Sequence, residues 1–502
     1  MLIWFLPVFL VLIMIGLPVF FALLAAPGAL LIASGQERDL AVLYRNVYTG
    51  IDSFPLMALP FFLLAGEIMN RGGITMRLVD FAQALMGHLR GGLAHVNILS
   101  SMLFAGMSGS AVADVSALGS TLIPAMEKNG YTRSFAAAIT AASSVIGPII
   151  PPSGIMIIYA YVMGESVAAL FLAGIVPGIL VGGGLMITVR LMADRYKLPK
   201  AERIVHKGQT ITPLEFVTST VLLRLNVAGL LYLVYLGLKG PLGLSRVEGD
   251  MINEPNGWLV FLFLLPVAHA LLLWARRGAS RDFRIICKKA VTPLQTPIII
   301  LGGILIGVAT PTEASAMAVA YALIISFFVL RSMKVRDLGP LLSRAAMSTA
   351  SVLLLVGAAV AFKTVVSLSY APQILTDAIL GLSENPLVLL FLVNVLLFVV
   401  GMFLDAGPAI IILGPILGPV FVSLGVDPIH FAIIMSVNLT IGLATPPMGL
   451  VLFVASGVSG VKVETIAKAI LPFLAVEVVV VFLITFIPAL SMTIPRLTGF
   501  AQ

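Results

Sequence analysis

Charge is what this chain has least of. Only 11% of its 502 residues are Asp, Glu, Lys or Arg, against roughly 25% in soluble domains, which excludes a water-soluble globular fold. A single cysteine, Cys287, rules out an intrachain disulfide and is read as a reduced, structurally unimportant thiol. There is no GxxxxGK(S/T) phosphate loop, so ATP hydrolysis by this chain is set aside as a source of work. The opening stretch MLIWFLPVFL lacks a basic n-region and a small-residue cleavage site, and is read as a retained helix.

What is present is apolar sequence: 60% hydrophobic residues and a mean hydropathy of +1.10. Runs near 1–34, 51–70, 168–189, 216–238, 257–275, 345–362 and 465–490 can each supply a helix of the roughly 20 residues that a bilayer requires. The expected class is an all-α polytopic membrane protein. The net charge of +7 does not signal nucleic acid, because the cations lie in short loops between apolar runs, as the positive-inside rule describes. Those loops are 190–207 (Arg190, Arg195, Lys197, Lys200, Arg203, Lys207), 276–289 (Arg276, Arg277, Arg281, Arg284, Lys288, Lys289) and 331–344. They are expected to face the cytoplasm.

The chain also contains itself twice. Residues 106–154 and 401–449 align without a gap at an offset of 295, and the shared residues are helix breakers. Gly106, Pro124, Gly130, Gly147, Pro151, Pro152 and Gly154 fall on Gly401, Pro419, Gly425, Gly442, Pro446, Pro447 and Gly449. Backbone left unbonded in lipid costs several kcal/mol unless it lines a protein-enclosed site. Paired interrupted helices in two halves of a membrane protein therefore point to a transporter's central site.

Charge sets the orientation of the copies. The stretch 71–92 carries Arg71, Arg77 and Arg90 against Asp80, whereas 364–386 has Asp377 and Glu384; loop 127–133 has Lys128 and Arg133, whereas 423–428 has only Asp427. Opposite sidedness predicts inverted repeats. Parity then makes 93–126 and 387–422 re-entrant hairpins, each followed by a broken helix, 134–160 and 429–455. The first repeat is placed at 1–190 and the second at 291–502. Between them, 191–290 is a linker holding an inserted helical hairpin, inside which Arg224 is expected to snorkel or meet a partner helix. Whether 1–34 and 292–330 are each one long helix or two short ones is open at this point.

The segments GMSGSAVADVSALGSTLIPAM (106–126), AAITAASSVIGPIIPPSG (137–154), GGILIGVATPTEASAMAVAYAL (302–323), GMFLDAG (401–407) and NLTIGLATPPMGL (438–450) resemble the large, DctM-like membrane subunit of tripartite ATP-independent periplasmic (TRAP) transporters. The resemblance covers nearly the whole chain; the stretch at about 200–290 departs from the family pattern. It implies a multi-pass protein of the bacterial inner membrane. The expected activity is sodium-coupled uptake of an organic acid such as a C4-dicarboxylate, sialic acid or a related carboxylate. It further implies an elevator-type secondary transporter, a soluble periplasmic substrate-binding protein and a separate small four-helix membrane subunit. Membrane lipid is the remaining partner, and neither nucleic acid nor an organic cofactor is expected.

Sodium takes oxygen ligands, which unwound carbonyls supply. Ser108, Ser110, Gly147, Ile150 and Pro152 form the first candidate cation site, and Gly401, Asp405, Gly442, Thr445 and Pro447 the second. Asp114 aligns with Ala409 and Asp405 with Ser110, leaving one intramembrane carboxylate in each half, costly in lipid and functional by default. Substrate is expected at Asp114, Ser143, its repeat mate Asn438, and Glu313, with half-helix N-termini after Pro152 and Pro447 attracting the carboxylate. Thr310-Pro311-Thr312-Glu313 equally fits a helix cap, and Arg133 is read as a topology anchor. Rival readings are a binding-protein-independent carrier or channel and, from the GxSG at Gly106–Gly109, an intramembrane serine protease, which would need a facing histidine. The expectation is a transporter, not an enzyme.

Overall fold

The computed structural model describes residues 2–36, 38–194, 196, 198–199, 211–239, 247–248, 251–252, 257–368, 381, 383 and 385–501. Arg195, Lys197, Lys200, Arg203 and Lys207 of the first basic loop lie outside them, as do Asp377 and Glu384. Among the described residues, nine helices are long and apolar enough to cross a membrane, or ten if the bent pair Asp39–Ile51 and Pro55–Arg71 is one span.

Both ambiguous apolar stretches are two helices. Helix α1 (Leu2–Met14) ends at Gly16, whose φ of +89° suits glycine, and α2 (Val19–Ala33) restarts after Pro18. Helices α3 (Arg38–Ile51), α4 (Ala58–Arg71) and α5 (Ile74–Met86) follow. The first hairpin is α6 (Gly92–Ser108) and α7 (Ala111–Lys128), and the first broken helix is α8 (Arg133–Ser144) and α9 (Gly154–Met163). Helix α10 (Val167–Met192) closes that half. The insertion is α11 (Pro213–Lys239), a ladder of β1 (Val247–Glu248) against β2 (Met251–Ile252), and α12 (Gly257–Arg276).

Helix α13 (Arg281–Leu305) ends at Gly307, and α14 (Pro311–Ile324) restarts at the Thr310–Pro311 cap. Helix α15 (Leu338–Leu368) corresponds by the repeat offset to α3 and α4 together. The second hairpin is α16 (Pro386–Phe403) and α17 (Ala406–Ser423), and the second broken helix α18 (Pro428–Gly442) and α19 (Leu450–Ser459). Helices α20 (Val463–Phe486) and α21 (Ala489–Leu497) end the fold.

Packing between the halves is reciprocal. Hairpin arm α7 packs on half-helix α19, while α17 packs on α9; α8 packs on α20, while α18 packs on α10. Such exchanged contacts are the mark of a pseudo-two-fold relation. Its direction is visible along α20. Phe135, near the start of α8, meets the Phe473 ring at 5.7 Å, whereas His430, near the start of α18, contacts the Thr485 carbonyl oxygen through Nε2 at 3.2 Å. Twelve residues of helix separate these points by about 18 Å, so the two broken helices start at different levels along α20, one near its middle and one at its C-terminal end. The fold is an all-α polytopic membrane protein built of inverted repeats with two hairpins and two broken helices.

A second layer frames this core. Helix α15 packs on α2, α3 and α4, and α14 on α4 and α13. The crossing of α3 and α15 is close at glycine: a Cβ on Gly357 would lie 2.7 Å from the Val47 carbonyl oxygen, and one on Gly50 2.8 Å from Val360 Cβ. Without a hydrophobic drive between helices in lipid, such close approach is how they gain dispersion contact. Asn46 Nδ2 donates to Thr364 Oγ1 across the same pair at 2.9 Å.

Candidate functional site

The tip of the first hairpin is Ser108-Gly109-Ser110. Gly109 has a φ of +59° and lies so close to the first break that a Cβ there would sit 2.7 Å from the Pro152 carbonyl oxygen. Ser110 caps α7, accepting from the Ala113 N–H at 3.4 Å, and its own N–H reaches Ser108 Oγ at 3.5 Å. The Ser108 hydroxyl donates to Asp114 Oδ1. Asp114 is completely buried one turn into α7, and its other oxygen, Oδ2, has no hydrogen-bond partner. A Cβ on Gly147 would stand 2.5 Å from that oxygen.

Residues 145–153 belong to neither half-helix. The Pro151–Pro152 peptide is cis. Ser153 caps α9 by accepting from the Met156 N–H at 3.3 Å and donates to the Pro148 carbonyl oxygen at 2.5 Å. Ile150 seats against Gly178 of α10, where a Cβ would meet its Cγ1 at 2.3 Å. Ser108, Ser110, Gly147 and Pro152 of the first candidate set thus meet around Asp114, with Ile150 in the same break. The frame touches this place directly: a Cβ on Gly66 of α4 would lie 2.9 Å from the Met107 carbonyl oxygen, and one on Gly106 2.7 Å from Pro297 Cγ.

The second site repeats the backbone but not the chemistry. Pro446–Pro447 is again cis. Asp405 caps α17 by accepting from the Ala406 N–H at 2.8 Å and is exposed at the tip. Gly401 and Gly442 are in backbone contact, since a Cβ on Gly442 would fall 2.5 Å from Gly401 Cα. The Thr445 hydroxyl donates to the Ile441 carbonyl oxygen at 2.9 Å. The carbonyl oxygens of Thr445 and Leu443 accept from the N–H groups of Gly449 and Val451, each at 3.0 Å.

The remaining candidates lie elsewhere. Ser143 is buried between α6 and α8, with Ser101 Oγ at 2.9 Å and Asn97 Oδ1 accepting its hydroxyl at 3.3 Å, while Asn97 Nδ2 donates to Thr140 Oγ1 at 2.6 Å. Its mate Asn438 donates to the Asn394 side-chain oxygen at 2.7 Å, which also accepts from Thr485 at 3.2 Å. Each therefore ties a broken helix to its hairpin. Glu313 is exposed in a capping box, accepting from the Thr310 N–H and hydroxyl at 2.8 Å each. Arg133 joins the two repeats, donating to the Ser459 carbonyl oxygen at 2.6 Å and pairing with Glu127 at 3.1 Å.

Three features escaped the sequence reading. Glu477, in the apolar run VEVVVVFL, is fully buried with neither carboxylate oxygen hydrogen-bonded; a lone acid in a spanning helix was the available signal. Asn97 and Asn394 were polar residues within hairpin arms. Lys363 of α15 donates to the Val162 carbonyl oxygen near the end of α9, a contact between frame and core that no local pattern announces.

Comparison with known proteins decides the family. The model described as "Tripartite ATP-independent periplasmic transporter, DctM component" matches residues 6–490. The chain belongs to this family. It is 37% identical over 491 residues to the uncharacterized protein YgiK of Salmonella typhimurium, covering 97% of this chain and 96% of the relative. It is 34% identical to the sialic acid TRAP transporter large permease protein SiaM of Vibrio cholerae, covering 97% of each. The isethionate TRAP transporter permease protein DctMQ of Oleidesulfovibrio alaskensis is 36% identical over 95% of this chain and 64% of its own length. The crystal structure of the Alcanivorax borkumensis YdaH transporter superposes with a TM-score of 0.52 at 17% identity, covering 94% of this chain and 90% of that one, a likeness of fold. As a DctM component the chain is a multi-pass permease of the bacterial inner membrane and not an enzyme. In keeping with that, the serine of the GxSG motif bonds to Asp114, not to a histidine base.

Proposed function

We propose that this permease carries an organic acid into the cell together with sodium, receiving it from a periplasmic binding protein and working beside a separate small four-helix membrane subunit. The observation that carries the reading is the first tip, where a buried carboxylate oxygen without a donor faces the unwound segment 147–152. A carboxylate oxygen without a donor beside unwound backbone suits a hard monovalent cation. Asp114 would hold it with backbone oxygens of the break, so Asp114 serves the ion and leaves the substrate to the half-helix N-termini at Ser153 and Gly449. Relatives are named for isethionate, sialic acid and C4-dicarboxylate, all small organic anions, which supports that substrate class.

Movement would be of the elevator type, the hairpins and broken helices sliding as one body against α2–α4 and α13–α15. The contacts of Gly66 with Met107, Gly106 with Pro297 and Lys363 with Val162 lie on the surface along which the two bodies would slide.

Proteoliposomes holding this chain and its small partner test the reading. Saturable uptake of a labelled organic acid that needs both an inward sodium gradient and the binding protein is expected. Asp114→Asn should raise the sodium concentration needed for half-maximal uptake. Uptake that neither saturates nor responds to sodium would instead make the protein a channel, and saturable uptake without the binding protein an independent carrier.

A further inference from the structure

The inserted helices gather cations that the transport reading does not use. Arg224 lies eleven residues into α11, about 16 Å from its start, and reaches back toward that start. Its Nε donates to His269 Nδ1 of α12 at 2.9 Å and its Nη1 to the Thr220 carbonyl oxygen at 3.1 Å. The Lys288 ammonium of α13 stands 3.1 Å over the Phe216 ring, two turns before Arg224 on the same stripe of α11. Arg276, Arg224 and Arg284 are the charged groups close enough to act on Lys288. By helical spacing Arg276 shares a face of α12 with His269, and Arg284 one of α13 with Lys288.

Nothing anionic in the described chain answers this cluster. None of the four ion pairs among the described residues includes these cations. Glu215, the acid nearest in sequence on α11, pairs with Arg77. Asp282 is two residues from Arg284, a spacing that points it away from the Arg284–Lys288 face. The Thr220 hydroxyl, on the Arg224 stripe, is buried without a partner. The surroundings are lipid-facing: on α12, Phe263 is 73% exposed and Trp274, in the last turn with Arg276, 72% exposed, the place indole rings take at a membrane interface. Basic pockets between spanning helices near the membrane surface are what anionic headgroups occupy.

We propose that the angle between α12 and α13, both packed on α11, binds the phosphate of an anionic phospholipid, held by Arg224, Arg276, Arg284 and Lys288, with its acyl chains along the exposed face of α12. The tether distinguishes it from free phosphate, since the cluster opens toward lipid.

Thermal unfolding in nanodiscs tests this, using phosphatidylcholine alone or mixed with phosphatidylglycerol or cardiolipin. The anionic lipids should raise Tm; R224Q/K288Q and, leaving Arg224 intact, R284Q/K288Q should lose the shift, and R344Q, at an exposed arginine of α15, should keep it. Native mass spectrometry should show about 30-fold weaker lipid retention for either double variant, from the loss of two cations. Equal shifts in all variants, or no shift in the parent chain, would overturn the proposal. A shift reproduced by inorganic phosphate in phosphatidylcholine discs would overturn the lipid as its source.

Discussion

The two hairpin tips share a backbone and differ in what fills it. In the first, Asp114 occupies the space against Gly147, and the tip is held by a hydroxyl-to-carboxylate bond from Ser108. In the second, Ala409 stands where Asp114 would be, and α16 and α18 close directly through Gly401 and Gly442. The buried spare oxygen is at the first site, whereas the break carbonyls of Leu443 and Thr445 are already bonded at the second. Duplicated breakers thus preserve a shape while the chemistry within it diverges, and equivalent positions need not do equivalent work.

Substitutions at the glycines should separate the halves most strongly. Gly442→Ala places a methyl against backbone that cannot move without parting α16 from α18; a loss of about 3 kcal/mol is expected, read as a lower Tm or failure to fold in detergent. Gly147→Ala should cost about 2 kcal/mol but be relieved by Asp114→Ala, because the obstructing atom is a side-chain oxygen. A double-mutant cycle measures that relief; strictly additive Tm losses would show that Asp114 does not fill the space.

Smaller effects follow at the polar contacts. Ser108→Ala leaves Asp114 with no donor on either oxygen, and about 1–2 kcal/mol should be lost, with sodium partly restoring Tm if the ion replaces the hydroxyl. Asp405→Ala removes an exposed cap and should cost about 1 kcal/mol with little response to sodium. A larger loss at Asp405 than at Ser108 would reverse the ranking of the two tips.

Much of this architecture was legible because its signals are local. Gly16, Pro18, Gly307 and Pro311 end and restart helices through their own backbone restrictions, although only the structure showed that they divide both long apolar stretches. The bonding of Ser143 and Asn438 was not legible. Whether a buried amide or hydroxyl faces a cavity or a neighbouring helix depends on the partner opposite, and Asn97 and Asn394 lie 46 and 44 residues away. Glu313 could be read either as a cap or as a ligand, and its hydrogen bonds are those of the cap.

Sequence by itself determined the solvent, the duplication, its inversion and the placing of the breaks, because hydropathy, charge sidedness and Gly and Pro conformations act over a few residues or along the membrane normal. Tertiary structure alone decided that the donor-less oxygen of Asp114 is enclosed while Asp405 stays exposed, that Glu477 is enclosed, and that Arg224 meets His269 within a group of cations. Each of those outcomes depends on which side chains from distant helices share a space, and close packing settles that only once the whole chain is folded.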